Sequence, residues 1–360
     1  MNQNILKGIL VLLVVLDHNE YVRSLLPRLL DGFTFHVVGF LMIPFLRPTA
    51  PWSKDYLTYL FRLYFPFFVF VTVMAILDAW LTPVTAASQA GLWLHALYSG
   101  NSHILQQVTQ MALLWFLPSF IALVTLRTAI ENAGQAGKVA AIALLCLAHP
   151  FIGTIAREAE HYLPLGLLPA VYVVPLAYLG VLLHRKVYER MAPLAALLVA
   201  TGIAAAVKYA QVQAGLHAEI GFAEVADYRQ PYALLLNDLE AVTGVLMVFQ
   251  LARLRLGSFL ERCGKYSLQV YLFHAFVALA VYKGLQRFAA DWPLGLLFAV
   301  SLLLTVLISA ALARVLAEQP LARRFLFPRS PAELLGRAPR RETVRGQAIP
   351  PSATHSNARQ

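Results

Sequence analysis

Residues 293–316 read PLGLLFAVSLLLTVLISAALARVL, and Arg314 is the only charged residue in this stretch. A helix that crosses the hydrocarbon core of a bilayer needs about 20 mostly apolar residues. The stretch is therefore predicted to be a transmembrane helix, and nine further stretches of similar character precede it. They lie at about 4–22, 30–47, 60–82, 108–127, 138–156, 164–184, 191–209, 232–252 and 267–286.

The composition of the whole chain agrees with this prediction. Of its 360 residues, 59% are hydrophobic and 13% are charged. Soluble domains have about 45–50% apolar and about 25% charged residues. We therefore expect an all-α polytopic membrane protein with about ten transmembrane helices. The composition excludes a soluble enzyme, a disordered chain and a fibre.

The positions of the positive charges predict the orientation of the helices. Most of the 29 Lys and Arg residues fall on one side if the N-terminus is cytoplasmic, and the loop at 83–107 has none. Because cytoplasmic loops are enriched in Lys and Arg, we place both termini in the cytoplasm. Residues 321–360 contain eight arginines and are predicted to be a basic, disordered tail after a membrane domain at 1–320. Such juxtamembrane charges contact membrane lipid, so no nucleic-acid partner is expected.

Ionisable residues inside a membrane are candidates for function because burying them is costly. Lys7 and His18 are eleven positions apart, so they share one helix face and lie about 16 Å apart along the axis. Lys7 is suited to bind the phosphate groups of a group-donating substrate at the inner surface. The imidazole of His18 is suited to act, deeper in the membrane, on the group that this substrate carries. The alternative interpretation is a lysine that reaches the headgroups and a hydrogen-bonded core histidine. Asp17 points about 100° away from His18 and is expected to pair with another span.

Further polar or aromatic candidates lie within or near the ends of the other spans. They are His36, Arg62, Trp115, Asn237, Asp238, Glu240 and His274. Asn237 and Glu240 are three residues apart, so they share a face and form a candidate contact for an acceptor, and Asp238 is expected to pair with another span. The alternative is that the carboxylates of Asp238 and Glu240 only hold helices together. The sequence has no Gly-rich phosphate loop, no His-x-x-x-His pair and no Gly-x-Ser-x-Gly motif. It gives no support to an ATPase, a zinc protease or a serine hydrolase, and no metal is expected.

The order of these features resembles the membrane acyltransferase family 3, most of all its fucose 4-O-acetylase-like branch. The similar motifs are Lys7…His18, Phe35-His36, Arg62-Leu-Tyr-Phe-Pro66, Trp115-Phe116-Leu117 and Ser267-Leu268…Tyr271…His274. The resemblance covers about 5–320. Tyr59 stands where the family's Arg-x-x-Arg motif has its first arginine.

The resemblance implies a multi-pass enzyme of the inner (plasma) membrane. Such an enzyme transfers an acyl group from cytoplasmic acyl-CoA, here most simply acetyl-CoA, to a hydroxyl of an envelope glycan or lipid-linked saccharide. His18 would be the general base or would carry the acyl group, with His36 and His274 as further catalytic residues. Lys7 and Arg62 would hold the CoA phosphates. Trp115, Asn237 and Glu240 are expected on the acceptor side.

The competing hypothesis is a multi-span transporter or a flippase for a lipid-linked saccharide. Buried histidines and carboxylates fit both classes. The spacing of Lys7 and His18 and the absence of an evident internal repeat favour the enzyme. Release of free CoA thiol distinguishes the two, because a flippase releases none.

Overall fold

The computed structural model describes residues 2–25, 35–47, 52–81, 86–109, 112–159, 163–214, 231–254 and 256–336. These residues form helices and contain no β-strand, which confirms the predicted all-α fold. In chain order the helices are α1 (Gln3–Asp17), α2 (Glu20–Leu25), α3 (Phe35–Met42), α4 (Lys54–Leu81), α5 (Ala86–Ser99), α6 (Ser102–Thr109), α7 (Phe116–Asn132), α8 (Gly134–Ala148), α9 (Ile152–Ala159), α10 (Leu167–Lys186), α11 (Pro193–Gln213), α12 (Pro231–Arg253), α13 (Gly257–Lys265), α14 (Ser267–Phe288), α15 (Leu294–Glu318), α16 (Pro320–Leu326) and α17 (Pro331–Leu334).

Eight helices in the described part of the chain are long and apolar enough to cross a membrane. They are Tyr56–Trp80, Leu113–Asn132, Gly134–Ile155, Pro164–Arg190, Pro193–Gln213, Tyr232–Arg253, Ser267–Phe288 and Leu294–Glu318. These eight correspond to the third to tenth predicted spans. The first two predicted spans contain shorter helices, α1 with 15 residues and the apolar segment Phe35–Leu46. The chain is thus an all-α polytopic protein, and the total of ten spans and the cytoplasmic termini stay predictions.

Helix α1 lies at the centre of the bundle. It packs against α3, α12, α13, α14 and α15. Leu6, Leu10, Val11 and Val15 are completely buried. At 100° per residue, these four side chains spread over about half of the helix circumference. A helix that is apolar on several sides and enclosed in this way is a core element, so its polar residues lie inside the protein.

The peripheral helices have the opposite pattern. No residue of α8 is buried, and α11 buries only Ala196, Ala200, Lys208 and Gln211. Large apolar side chains such as Leu144 and Leu198 are instead exposed. Apolar residues outside and polar residues inside suit a protein whose surroundings are lipid.

Helices α1 and α13 approach each other at backbone contact. A Cβ atom at Gly264 would lie 1.7 Å from the carbonyl oxygen of Asn4, and one at Gly8 would lie 2.0 Å from the carbonyl oxygen of Leu260. Only glycine allows this approach, because any side chain would collide with the opposite backbone. Since α13 leads directly into α14, the contact also fixes the start of α14 beside α1.

The first part of the predicted tail, 321–360, is folded, which differs from the predicted disorder. Glu333 is 7% exposed and holds this segment together. Its carboxylate lies 2.8 Å from Nη2 of Arg323 and accepts a 2.7 Å hydrogen bond from the backbone N–H of Arg329. Composition alone could not predict this folded segment, because the fold depends on one buried carboxylate in an otherwise basic segment. Residues 337–360 lie outside the described residues, so their disorder and the domain boundary at 320 stay predictions.

Candidate functional site

The three histidines that were predicted to be catalytic converge inside the bundle. His18 follows α1 directly, His36 is the second residue of α3, and His274 lies two turns into α14. The rings of His18 and His274 meet edge to face, with 5.1 Å between their centroids. His36 approaches the same place through Asp17, whose Oδ2 lies 3.8 Å from His36 Nε2. The packing of α1 against α3 and α14 therefore unites residues from three distant parts of the chain.

Backbone carbonyl groups fix the tautomer of two of these rings. His18 Nδ1 lies 2.9 Å from the carbonyl oxygen of Val14, and His274 Nδ1 lies 2.6 Å from that of Tyr271. Because a carbonyl oxygen only accepts, we assign the N–H to Nδ1 in both rings. Nε2 of each neutral ring then carries a lone pair, which is what a proton acceptor needs.

His18 is the most accessible of the three rings. Its side chain is 32% exposed, whereas His36 and His274 are buried. Within the described residues, His36 Nδ1 and His274 Nε2 have no hydrogen-bond partner. Because buried polar atoms normally have partners, these two nitrogens retain unused hydrogen-bonding capacity close to His18.

Asp17 places a carboxylate between two of the histidines, and the sequence had indicated only that it pairs with another span. Its Oδ2 lies 3.7 Å from His18 Nδ1 and 3.8 Å from His36 Nε2. Both distances exceed a direct hydrogen bond, but charges this close interact strongly in a partly buried site. A positive charge on either ring would therefore be stabilised. The sequence did not suggest the proximity to His18, because α1 ends at Asp17 and His18 leaves the helical path with φ −90° and ψ 14°.

A cavity of about 460 Å³ lies beside α1 at the level of Lys7. Lys7, Arg47 and Arg127 line it, and no Asp or Glu is among the described residues of its wall. The remaining wall is largely aromatic and aliphatic. A cavity of this size with a few charged groups on an apolar wall is typical of a site for a small organic ligand, here an anionic one.

Arg127 is the most deeply buried of the three cations. It is 7% exposed, and its Nη2 donates a 2.5 Å hydrogen bond to the carbonyl oxygen of Arg47. Its guanidinium lies 5.1 Å from the centroid of the Phe45 ring. Its Nε has no partner among the described residues. A buried guanidinium with an unused N–H favours an anionic acceptor such as a phosphate oxygen.

Arg62, which was predicted to share this site with Lys7, does not line the cavity. It is exposed, and its Nε donates a 2.5 Å hydrogen bond to the carbonyl oxygen of Arg329. Tyr59 and Leu63, one turn apart on α4, line the cavity instead. Helix α4, which carries the motif, contributes to the cavity wall, but Arg62 lies on the exposed side of this helix. The two arginines that do line the cavity had contributed to the sequence analysis only as positive charges that set the orientation.

A layer of aromatic rings forms the wall between the cavity and the histidines. Phe40, Phe116 and Tyr271 all line the cavity. The Phe116 ring lies 5.9 Å from that of Phe40 and 5.1 Å from that of Tyr271. The Tyr271 ring in turn lies 5.8 Å from that of His274, and its hydroxyl donates to the carbonyl oxygen of Leu113. A ligand that fills the cavity to this wall therefore ends beside the histidine cluster.

A family model described as an acyltransferase domain matches residues 3–314, which include both the histidine cluster and the cationic cavity. The chain belongs to the membrane acyltransferase family 3. A comparison with curated proteins and another with solved structures found no match. Family membership and the apolar helices together make the chain a multi-pass membrane acyltransferase.

In this acyltransferase, Trp115 lines a second, much smaller cavity together with Ser99, Asn101 and Ser119. Trp115 ends a 3₁₀ turn, and the next residue, Phe116, begins α7. Phe116 lines the cationic cavity. Because consecutive helical residues point about 100° apart, these two aromatic residues belong to the walls of two different cavities.

Asn237 and Glu240, predicted to contact the acceptor, lie in a buried polar cluster between α11 and α12. Glu240 is 3% exposed; its Oε2 accepts a 2.9 Å hydrogen bond from Gln211 Nε2, and its Oε1 lies 3.5 Å from Lys208 Nζ. Gln211 Nε2 is also 3.3 Å from Asn237 Oδ1. Because these groups already engage other residues of the acyltransferase, the arrangement favours a connection between helices over an acceptor contact.

Asp238 forms a second connection of this kind. Its Oδ2 lies 2.9 Å from His149 Nε2, and its Oδ1 accepts a 2.7 Å hydrogen bond from the Tyr172 hydroxyl. The rings of His149 and Tyr172 stack with 5.0 Å between centroids. Asp238 thus pairs with other spans, as the sequence had indicated.

The ion pair between Lys208 and Glu240 can be tested through stability. Lys208→Met would leave a buried carboxylate without its cation, and we expect this change to cost about 3–5 kcal/mol of unfolding free energy. The double variant Lys208→Met/Glu240→Gln should recover most of that loss, because it removes the uncompensated charge. Thermal unfolding in detergent measures both. A Lys208→Met protein as stable as the unmodified chain would contradict the structural role.

Proposed function

We propose that this membrane acyltransferase is an O-acetyltransferase of the inner (plasma) membrane. It moves an acetyl group from cytoplasmic acetyl-CoA, or another acyl group from its CoA ester, to a hydroxyl of a cell-envelope saccharide. The observation that carries the proposal is the shared wall between the cationic cavity and the histidine cluster. One substrate would be anionic and enter beside Lys7, and the other would meet His18.

The cationic cavity is the proposed donor site. CoA carries phosphate groups, and Lys7, Arg47 and Arg127 supply three positive charges to bind them. The aromatic and aliphatic wall suits the less polar arm of CoA that ends in the thioester. An arm that reaches Phe116 and Tyr271 would bring the thioester carbonyl to the Tyr271 ring, which lies 5.8 Å from that of His274.

The proposed reaction needs a base because a sugar hydroxyl is a poor nucleophile at neutral pH. His18 Nε2 removes the hydroxyl proton while the oxygen attacks the thioester carbonyl carbon. The C–O bond forms, the C–S bond breaks, and the thiolate takes the proton back from the imidazolium to give free CoA. Such a base accelerates the reaction by about 10²–10⁴-fold. An alternative route has two steps. His18 first takes the acyl group from the thioester, and the sugar hydroxyl then attacks this acyl-histidine and receives the acyl group.

Asp17 and the two buried histidines support the proton transfer in this scheme. The carboxylate of Asp17, 3.7 Å from His18 Nδ1, stabilises the imidazolium that forms when the proton arrives. His274 meets His18 edge to face, and His36 lies on the other side of Asp17. Their unpartnered nitrogens, within the described part of the chain, provide further places for the proton between the acceptor and the thiolate.

His18→Gln tests the catalytic role, because glutamine keeps a polar tip but cannot act as a base. We expect thiol release and glycan acetylation to fall by about 10²-fold or more, with normal amounts of folded protein in the membrane. His95→Gln on α5 is the matched control and should keep full activity. An active His18→Gln enzyme would refute the central role of this residue. A burst of one thiol per protein without acceptor identifies the acyl-histidine route, and its absence identifies direct transfer.

The donor site is tested by two arginines that differ in their placement. Arg47 lines the cationic cavity, whereas Arg62 is exposed and binds a backbone carbonyl group. Arg47→Gln should raise the KM for acetyl-CoA about tenfold, as expected for one charged hydrogen bond, and leave the acceptor KM unchanged. Arg62→Gln should leave both constants unchanged. The reverse result would show that the donor phosphates bind at Arg62 and outside this cavity.

A further inference from the structure

The small cavity lined by Trp115 lies on a different side of α7 from the cationic cavity. Its polar wall consists of Ser99, Asn101, Ser102 and Ser119, and its volume is about 20 Å³. Ser99, Asn101 and Ser102 lie within the predicted exterior loop at 83–107, so the cavity belongs to the outer side in the predicted topology. A volume of this size holds one water-sized group.

Asn101 provides a hydrogen-bond donor that the protein itself does not use. Its Oδ1 accepts hydrogen bonds from the backbone N–H groups of His103 and Ile104, at 2.9 and 3.2 Å, and so caps α6. The residue is 5% exposed, and its Nδ2 has no partner among the described residues. Because a buried amide donor normally has an acceptor, this nitrogen indicates a ligand atom that accepts.

The serines of the same wall provide acceptors. The hydroxyl of Ser99 donates to the carbonyl oxygen of His95 at 2.9 Å, and that of Ser119 donates to the carbonyl oxygen of Trp115 at 3.0 Å. A hydroxyl has one hydrogen and two lone pairs, so these oxygens can now only accept. The Ser99 oxygen already accepts a 3.2 Å hydrogen bond from the backbone N–H of Asn101 and keeps one lone pair. A group that uses the whole wall must therefore accept from Asn101 and donate to a serine. A hydroxyl does both, whereas a carboxylate cannot donate and an ammonium group cannot accept.

The wall of the small cavity is held in place by two tight turns. Gly100 has φ 61° and Gly166 has φ 59°, a region that disfavours other residues. A Cβ at Gly100 would lie 2.4 Å from Pro118 Cγ, and one at Gly166 would lie 2.3 Å from Ser119 Oγ. Both turns therefore pack directly against the start of α7. This packing fixes the positions of the hydrogen-bond donor of Asn101 and of the hydrogen-bond acceptors of the serines.

We propose that this cavity binds one hydroxyl group of the acceptor saccharide, other than the hydroxyl that receives the acyl group. The inference rests on the proposed function and adds a specificity site to it. The indole of Trp115 gives the carbon that bears this hydroxyl an apolar contact. Phe116 lines the cationic cavity, so the start of α7 orients both substrates relative to each other. Such orientation of two reactants accelerates a reaction.

Asn101→Asp tests the proposal with little change in shape. Aspartate keeps the oxygen that caps α6 but replaces the Nδ2 donor by an acceptor. The experiment uses the full chain in nanodiscs, acetyl-CoA, and envelope glycan purified from cells that lack this chain. We expect the KM for glycan to rise at least tenfold, with an unchanged KM for acetyl-CoA and normal amounts of folded protein. Trp115→Phe should raise the glycan KM in the same selective way.

An unchanged glycan KM in a folded Asn101→Asp protein would mean that the cavity holds only an ordered water, and would overturn the proposal. If Asn101→Asp does not fold, Ser119→Ala decides by the same criterion, because it removes an acceptor and leaves the cap intact. An unmodified chain that releases no thiol and acetylates no glycan would overturn the proposed function and this site with it. If the unmodified chain is active and the variants keep its glycan KM, only the proposed hydroxyl site is overturned.

Discussion

The backbone contact between α1 and α13 is the constraint on which the arrangement of the site depends. Gly8 and Gly264 allow the two helices to touch without intervening side chains. α13 continues into α14, so the contact sets the position of α14 against α1. His274 of α14 consequently meets His18 at the end of α1. A side chain at either glycine would separate two of the three histidines.

Helix α1 connects the two halves of the proposed reaction. Lys7, in its second turn, lines the cationic cavity, and Asp17 and His18 at its C-terminal end belong to the histidine cluster. The aromatic layer around Tyr271 lies between the two regions. Helix α7 supplies the opposite wall, with residues on two of its faces directed to two cavities. Two rigid helices thus determine where donor and acceptor meet, which suits precise positioning.

The sequence predicted those features that depend on spacing along one helix. The length of the apolar stretches predicted the eight long apolar helices among the described residues, and the eleven-residue spacing predicted that Lys7 and His18 lie about three turns apart, with His18 now found directly after α1. It did not predict features that depend on packing between helices. Arg47 and Arg127 line the cavity through tertiary placement, and nothing in their local sequence distinguishes them from charges that set topology. The fold of the early tail also escaped prediction, because it depends on the single buried carboxylate of Glu333.

The central claim is that one protein transfers an acyl group from acyl-CoA on the cytoplasmic side to a saccharide on the other side of the membrane. Proteoliposomes with acetyl-CoA enclosed inside and purified envelope glycan outside test it most directly. The account predicts acetylated glycan outside and free CoA thiol inside, in equal amounts. It also predicts little transfer when both substrates are supplied outside only. Transfer only when donor and acceptor share one compartment would contradict the account.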